Sequence, residues 1–310
     1  MNETAIRTEG LCRDYGDLRA LDDVNLSIDK GRVVAMLGPN GAGKTTFLHI
    51  LMGMLEPTGG RAEVLGANSR ALPKDVVGRI GYMGDGDEPP RWATAGQLIG
   101  LQAGASYKLA RGFAEQLLAK RGLSRKSVYG ALSKGQKKWV RAALVLAAKP
   151  EVMLLDEPAE GLDPSARREL YDELRDYVTD SDATVVVATH IIADIERIAD
   201  EAAIIDKGRV ATHAALDDLR EQVREIELTE NDAIPESADG IEVLGSKAVS
   251  GAVLVWVRCS QHGQRKLETI CPKKAVIRAV GLETFYLAMT EHNGKTESTD
   301  GQAQERHNDI

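Results

Sequence analysis

Three shortages limit what this chain can be. Aromatic residues make up only 4% of the 310 residues, so a folded core must be built from Val, Leu, Ile and Ala. The three cysteines, Cys12, Cys259 and Cys271, form no CxxC pair and have no metal-binding spacing, which favours a reducing compartment. No run reaches the roughly 20 apolar residues that span a bilayer. A membrane role would therefore require a partner protein.

The sequence also lacks a surplus of basic residues. Its net charge is -8 and its pI is about 5.4, which argues against a general nucleic-acid binder because such proteins need a basic surface. The first ten residues have no apolar run of the kind that signal peptides carry, and no lipidation motif is visible. We therefore expect a cytoplasmic chain with no nucleic-acid partner.

Short apolar runs alternate with helical patterns along the first two thirds of the chain. The runs at 33–37, 152–155 and 184–189 are typical of strands buried on both faces of a parallel sheet. Ile6–Cys12 and Leu21–Ile28 alternate and predict an antiparallel pair. These patterns predict an α/β fold: a mixed or parallel sheet, an antiparallel β subdomain and a helical subdomain.

The composition also predicts domain boundaries. We expect a main domain at 1–219, with its helical subdomain at about 92–149, where Ala, Leu, Gln and Lys dominate. A small α+β domain is expected at 220–290. Residues 291–310 have almost no apolar side chains and are expected to be disordered.

A glycine-rich loop follows the first buried strand. It reads Gly38-Pro39-Asn40-Gly41-Ala42-Gly43-Lys44-Thr45, with Thr46 next, and it fits G-x-x-x-x-G-K-[ST]. Glycines let the backbone N–H groups wrap around phosphate, and the helix that follows adds its positive end. Lys44 would contact the β- and γ-phosphates, and the Thr45 hydroxyl would bind Mg²⁺. A chance glycine-rich turn is the alternative, but the strand before and the helix after disfavour it. The loop indicates nucleotide binding without saying which nucleotide.

Two carboxylates follow the next buried run, Val152-Met-Leu-Leu, as Asp156-Glu157. Ligands of open α/β sheets bind at the carboxyl ends of the strands, which is where Asp156 is expected. We expect Asp156 to hold Mg²⁺, directly or through water, and Glu157 to act as the general base for the attacking water. Alone, this pair could equally be a solvated acidic turn; together with the phosphate loop, it predicts a nucleotide-hydrolysing site.

Further motifs resemble the ATP-binding-cassette family over about residues 5–215. Leu132-Ser133-Lys134-Gly135-Gln136 resembles the family's LSGGQ signature, and Gly161-Leu-Asp163-Pro164 resembles its D-loop. The resemblance implies that Ser133, Gly135 and Gln136 meet ATP held by another subunit and that Asp163 lies at the dimer seam. It also implies that His190, after Thr189, contacts the γ-phosphate and that Tyr15 stacks on adenine. Gly281–Thr290 loosely resembles the end of the C-terminal domain of exporter-type members.

The chain departs from the family pattern at three positions. Lys134 stands where glycine is usual, as it also does in exporter-type members. Asp85 stands at the position of the usual glutamine after the strand Ile80–Met83, and we expect it to remain a Mg²⁺ ligand because a carboxylate offers oxygen. The pair Ala159-Glu160 replaces the small hydroxyl pair that is usual before the D-loop, and the sequence offers no reason for it.

The resemblance implies the ATP-hydrolysing subunit of an exporter, with ATP and Mg²⁺ as cofactors. Its partners would be a transmembrane permease and a second cassette, identical or different, that completes a sandwich around ATP. It would lie on the cytoplasmic face of the membrane. Two alternatives remain: a non-transport cassette ATPase acting on ribosomes or DNA, and a weakly hydrolysing regulatory subunit. An ordinary P-loop kinase or GTPase is disfavoured by the signature and His190.

Overall fold

The structure, a computed structural model, describes residues 3–86, 88–105, 108–230, 232–233, 237, 240–249, 251–272 and 274–293. The chain divides into two units, Met1–His213 and Ala214–Ile310. None of the described helices is long and apolar enough to cross a membrane.

The first unit contains two sheets and seven helices among its described residues. Its strands are β1 (Thr4–Tyr15), β2 (Leu18–Asp29), β3 (Val33–Leu37), β4 (Gly59–Val64), β5 (Ala67–Asn68), β6 (Ile80–Met83), β7 (Val152–Asp156), β8 (Thr184–Thr189), β9 (Glu201–Asp206) and β10 (Arg209–Ala215), which crosses the unit boundary. Its helices are α1 (Lys44–Leu51), α2 (Lys74–Val77), α3 (Ala95–Ala105), α4 (Arg111–Lys120), α5 (Lys134–Ala147), α6 (Pro164–Ser181) and α7 (Ile192–Ile195). Short 3-10 turns lie at Ser69–Ala71 and Tyr129–Ala131.

The larger sheet has the strand order β10-β9-β3-β8-β7-β6, and the strands from β9 to β6 pair in parallel. Every residue of β3, β7 and β8 is buried, which is why these strands read as unbroken apolar runs. This confirms the predicted parallel core. In this register Leu37 pairs with Thr189 and Asp156 pairs with Ala188. The glycine-rich loop, the Asp156-Glu157 pair and the Thr189-His190 segment therefore leave the sheet at the same edge.

The smaller sheet is antiparallel, with the order β2-β1-β4-β5. The predicted pairing of β1 with β2 is present, and it continues to Tyr15 opposite Leu18 at the turn. One hydrophobic core joins both sheets to α1; it contains Ile6, Val24, Phe47, Leu154 and Val186, among others. Packing of α1 between the sheets supports the loop that precedes it.

Helices α3, α4 and α5 occupy the segment that was predicted to be helical. Trp139 of α5 is 2% exposed, and its indole N–H donates to the Leu117 carbonyl at 2.7 Å. The Arg121 guanidinium lies 4.8 Å from the Trp139 ring centroid. One buried tryptophan therefore joins two of these helices in a chain that has few aromatic residues.

The second unit is built on a separate antiparallel sheet. Its elements are α8 (Leu216–Gln222), β11 (Val223–Thr229), β12 (Ile241–Val249), β13 (Ala252–Cys259), α9 (Gln261–Ile270), β14 (Val276–Ala279) and α10 (Leu282–Asn293), and its strand order is β12-β13-β11-β14. Its core includes Ile226, Val255, Val257 and Leu267. Helix α10 reaches Asn293, whereas 294–310, within the tail expected to be disordered, lies outside the described residues.

Candidate functional site

The glycine-rich loop connects β3 to α1 and depends on two left-handed glycines. Gly41 has φ +82° and Gly43 has φ +105°, both of which are costly for residues with a Cβ. A Cβ on Gly43 would lie 2.5 Å from the Ala20 carbonyl oxygen and 2.8 Å from a Leu21 methyl group. The loop therefore needs glycine here because strand β2 passes directly beneath it.

Lys44, the first residue of α1, turns its ammonium back onto the loop. Its Nζ donates to the carbonyl oxygens of Gly38 at 2.6 Å and Pro39 at 3.1 Å, and the residue is only 7% exposed. Burial lowers the pKa of Lys44, although the nearby carboxylates of Glu157 and Asp156 oppose this shift. A phosphate at the loop would give this buried cation a charged partner.

Asp156 ends β7 beside the start of α1. The Thr45 hydroxyl donates to Asp156 Oδ2 at 2.5 Å, and Asp156 is 3% exposed. Burial raises the pKa of Asp156; the negative charge of Glu157 adds to the shift, and the Thr45 hydrogen bond opposes it. The buried carboxylate is therefore destabilised as an anion when no cation is bound beside it.

The Thr45 hydroxyl and the Asp156 carboxylate fit a magnesium ion. Both are oxygen donors, and Mg²⁺ characteristically takes only one or two protein ligands and completes its shell with phosphate oxygens and water. In the part of the chain that the structure describes, no group of three or more His, Cys, Asp or Glu could hold a metal alone.

Glu157 is held in one orientation by the end of β8. Its Oε2 accepts from the Thr189 hydroxyl at 3.0 Å, and its Oε1 lies 2.8 Å from His190 Nδ1 and accepts from the His190 backbone N–H at 3.1 Å. Its backbone has φ +45°, an unusual value for a residue other than glycine, and its N–H donates to the Ala188 carbonyl at 2.8 Å. The carboxylate is thus held by the end of β8 at the edge of the cavity described below.

These groups line one cavity of about 520 Å³. Its lining consists of Tyr15, Leu18, Ala20, Asn40, Gly41, Gly43, Lys44, Thr45, Thr46, Asp85, Asp156, Glu157, Glu160 and His190. The structure thus brings together most of the residues expected from the sequence. Gly38, Pro39 and Ala42 belong to the loop but not to the lining: two of them supply carbonyls to Lys44, and Ala42 is buried.

Sequence reasoning missed three lining residues: Leu18, Ala20 and Glu160. The first two lie on β2 opposite the end of β1, and the hairpin turn between Tyr15 and Leu18 could have indicated them. Glu160 stood out in the sequence only as a departure from the family pattern, with no role assigned to it.

The residues of the signature and the D-loop lie outside this cavity. Ser133 and Gln136 form a capping box at the start of α5: Ser133 Oγ accepts from the Gln136 N–H at 3.2 Å, and Gln136 Oε1 accepts from the Ser133 N–H at 3.1 Å. Asp163 caps α6 by accepting from the Ala166 N–H at 3.0 Å. A Cβ on Gly135 would lie 3.2 Å from the Gly161 carbonyl oxygen, so the two motifs pack closely.

Two of the departures from the family pattern lie against each other. Lys134 Nζ is 3.5 Å from Glu160 Oε1, and the Lys134 stem passes so close to Gly161 that a Cβ there would approach its Cδ to 3.2 Å. Glu160 also lines the cavity. The glutamate that the sequence left unexplained thus lies within ion-pair distance of the signature lysine.

Asp85 lies in the loop between β6 and α3. It lines the cavity, and its Oδ1 accepts from Lys138 Nζ of α5 at 3.1 Å. The side chain of Asp85 is 63% exposed, whereas that of Lys138 is 5% exposed. The expected metal ligand is therefore also half of an ion pair.

Comparisons with known proteins agree on one family. The sequence model described as ABC transporter matches residues 21–160. The daunorubicin resistance ATP-binding protein DrrA3 of Streptomyces coeruleorubidus is 36% identical over 226 residues, which cover 71% of each chain. The daunorubicin/doxorubicin resistance ATP-binding protein DrrA of Streptomyces peucetius is 29% identical over 321 residues, which cover 97% of each chain.

Solved structures show the same fold. An ATP-binding subunit of an ABC transporter aligns with a TM-score of 0.63 at 29% identity and covers 70% of this chain and 92% of its own. A dimeric bacterial ABC transporter cassette aligns with a TM-score of 0.61 at 25% identity and covers 68% of this chain and 98% of its own.

Proposed function

Because this chain belongs to the ABC transporter family as an ATP-hydrolysing subunit, we propose that two cassettes close around ATP and Mg²⁺ to power export by a separate membrane permease. One observation carries the proposal. The cavity of one chain holds the phosphate loop, Asp156 and Glu157, but Ser133 and Gly135 of the same chain lie outside it. Each chain thus carries two half-sites: the phosphate-binding half lies at the cavity, and the signature half lies at the start of α5.

Within the half-site at the cavity, each group has one task. Tyr15, 45% exposed at the end of β1, stacks on adenine. The N–H groups from Gly38 to Thr46 and the Lys44 ammonium bind phosphate oxygens, which draws the ammonium away from the loop carbonyls. Thr45, Asp156 and Asp85 would hold the magnesium ion. When bound, Mg²⁺ supplies positive charge against the β- and γ-phosphates.

The hydrolytic step uses the fixed carboxylate of Glu157. It accepts a hydrogen bond from the attacking water and receives its proton as the water attacks the γ-phosphorus, while the bond from that phosphorus to the bridging oxygen breaks and ADP leaves. Thr189 and His190 keep the carboxylate aligned, and His190 also contacts the γ-phosphate. Ser133, Gly135 and Gln136 of the second cassette reach the same phosphate, with Asp163 at the seam. Closing the pair excludes bulk water from the site.

Export is proposed from the relatives. Two of them are named for resistance to daunorubicin, and the second matches nearly the whole length of this chain, including the second unit. We place the chain on the cytoplasmic face of the membrane, where a permease would bind it and would select the cargo.

The test is the ATP-dependent state of the Glu157→Gln variant. This variant should bind ATP, release phosphate at least about 100-fold more slowly than the wild type because it lacks the general base, and sediment as a dimer with ATP and Mg²⁺. Lys44→Met is the control: it should neither bind ATP tightly nor dimerise. Near-normal turnover by Glu157→Gln would remove Glu157 as the base, and an ATP-loaded monomer would overturn the sandwich.

A further inference from the structure

Lys138 is an ammonium buried in helix α5 with one carboxylate beside it. The residue is 4% exposed, and its Nζ donates to Asp85 Oδ1 at 3.1 Å. A buried ammonium is stable only if an anion or several acceptors compensate for the lost water. Glutamine, the residue that the family pattern expects at position 85, would offer no charge. Aspartate at position 85 therefore supplies the negative charge that the buried ammonium of Lys138 needs.

A second contact attaches the same loop to the same helix. The Arg141 guanidinium, one turn after Lys138, donates to the Gly84 carbonyl. The loop segment that contributes Asp85 to the cavity is thus held by two cationic side chains of α5. The same helix begins at the Ser133 cap.

The Asp85 carboxylate has one oxygen engaged and one oxygen free. Oδ1 accepts from Lys138, whereas Oδ2 has no hydrogen-bond partner among the residues that the structure describes. The residue lines the cavity together with Thr45 and Asp156. A carboxylate held through one oxygen presents the other in a defined direction, as carboxylates that support metal sites commonly do.

We propose that Lys138 is a positioning residue for ATP hydrolysis: it holds Asp85 by Oδ1 so that Oδ2 is presented to the magnesium site, and it ties the signature helix to the edge of the cavity. This inference rests on the proposed function of the cavity as the site of Mg·ATP. Lys138 touches neither nucleotide nor metal and acts only through Asp85.

The experiment compares Lys138→Met with Lys137→Met. Methionine fits a buried site, and Lys137 is a matched control because its ammonium lies 3.5 Å from Glu88, which is absent from the cavity lining. Binding is measured by calorimetry with ATP, with and without Mg²⁺, in the Glu157→Gln background. Lys138→Met should weaken Mg·ATP binding by about tenfold, the usual scale for loss of a partner that orients a metal ligand. Binding of metal-free ATP should change by less than about twofold, as should both affinities in Lys137→Met.

A double-variant comparison checks that the effect passes through Asp85. Asp85→Gln should weaken Mg·ATP binding as Lys138→Met does, and combining the two should add little further loss. In the otherwise wild-type chain, the same variants should raise the KM for Mg·ATP and the magnesium concentration needed for half-maximal hydrolysis. Circular dichroism and melting curves identify a variant that fails to fold, in which case Lys138→Gln replaces Lys138→Met.

The outcomes separate this inference from the function beneath it. If Lys138→Met and Lys137→Met bind Mg·ATP equally well, or if Asp85→Gln leaves metal dependence unchanged, Lys138 has no positioning role. Fully additive losses would also overturn the inference. If Lys44→Met bound ATP as well as the wild type, the cavity would not be the nucleotide site, and the proposed function itself would fail.

Discussion

At the scale of single residues, the site contains buried charged groups whose contacts with one another do not fully offset the cost of removing them from water. Lys44 and Asp156 are both nearly buried, and burial disfavours the charged form of each. Lys44 relies on loop carbonyls and Asp156 on one threonine hydroxyl. A bound phosphate and a bound cation would give both groups a charged partner. Ligand binding would therefore offset the free-energy cost of burying these charges in the folded protein.

Thr189 provides a test of how Glu157 is aligned. Thr189→Val removes the hydroxyl that donates to Glu157 Oε2 at 3.0 Å. We expect kcat to fall by about tenfold with little change in KM, since one hydrogen bond to a carboxylate contributes about 1.5 kcal/mol. Steady-state phosphate release measures both constants.

The matched control is Thr184→Val on the same strand. Its hydroxyl accepts from the Gly31 N–H at 3.1 Å, away from the cavity lining. This variant should unfold at a lower temperature but keep its kcat. Equal kcat values for Thr189→Val and the wild type would show that Glu157 needs no such alignment.

Asp156 provides a pH-dependent test of stability. Its pKa is raised by burial above the ordinary 3.8, so the stability cost of the buried anion builds up as the pH rises from 3.8 and is complete above the raised pKa; below 3.8 the group is protonated in both states and contributes nothing. Asp156→Asn should therefore stabilise the ligand-free protein near pH 7. A gain of about 1 kcal/mol corresponds to a melting temperature about 2–4 °C higher in a domain of this size.

This gain should shrink as the pH falls through the raised pKa towards 3.8, and the variant should lose Mg²⁺-dependent hydrolysis. Melting curves from pH 4 to pH 8 measure the difference. If the asparagine variant were less stable at pH 7, the contacts of the carboxylate with Thr45 and Lys44 would outweigh its burial cost.

At the scale of elements, close backbone approaches determine which glycines are required. The pairing of β1 with β4 shifts register between Glu9 and Cys12, and Gly60 lies at this shift with φ +69°. A Cβ on Gly60 would overlap the Gly10 carbonyl group. Gly66, in the turn before β5, has φ +76° with nothing near its missing Cβ.

Alanine at these two glycines separates backbone strain from steric overlap. Gly66→Ala should cost about 1 kcal/mol, the price of a left-handed residue with a Cβ. Gly60→Ala carries the same strain plus a clash with backbone that cannot rotate away, so we expect at least about 3 kcal/mol. Urea unfolding measures both. Equal losses would mean that β1 and β4 move apart freely.

At the scale of the whole molecule, the division of each site between two chains predicts that two different inactive variants restore ATP hydrolysis when they are mixed. Lys44→Met disables the phosphate loop. Ser133→Asp keeps an N-cap on α5 but places a negative charge against the γ-phosphate. A mixed dimer contains one composite site in which both halves are intact.

An equal mixture of the two variants should recover up to about a quarter of wild-type phosphate release, because random pairing makes half of the dimers mixed and each mixed dimer has one working site. Each variant alone should be inactive, which serves as the control. A mixture no more active than its components would argue that each chain hydrolyses ATP without its partner.

Much of this protein was determined by short contiguous segments of its sequence. The bounds of β3 matched the predicted run at 33–37. The phosphate loop and the Asp156-Glu157 pair came together because parallel strands end at one edge of a sheet. Neighbouring residues set the backbone geometry of each segment, and the parallel pairing expected of the buried runs brought the two segments to the same edge.

The tertiary structure alone decided which distant side chains meet. Asp85 and Lys138 are 53 residues apart, and Lys134 reaches Glu160 through the packing of two motifs. Leu18 joined the cavity through the hairpin register, and the Ser133 segment was placed outside it. Such contacts depend on the directions in which separate elements return to one another, which local sequence patterns do not specify.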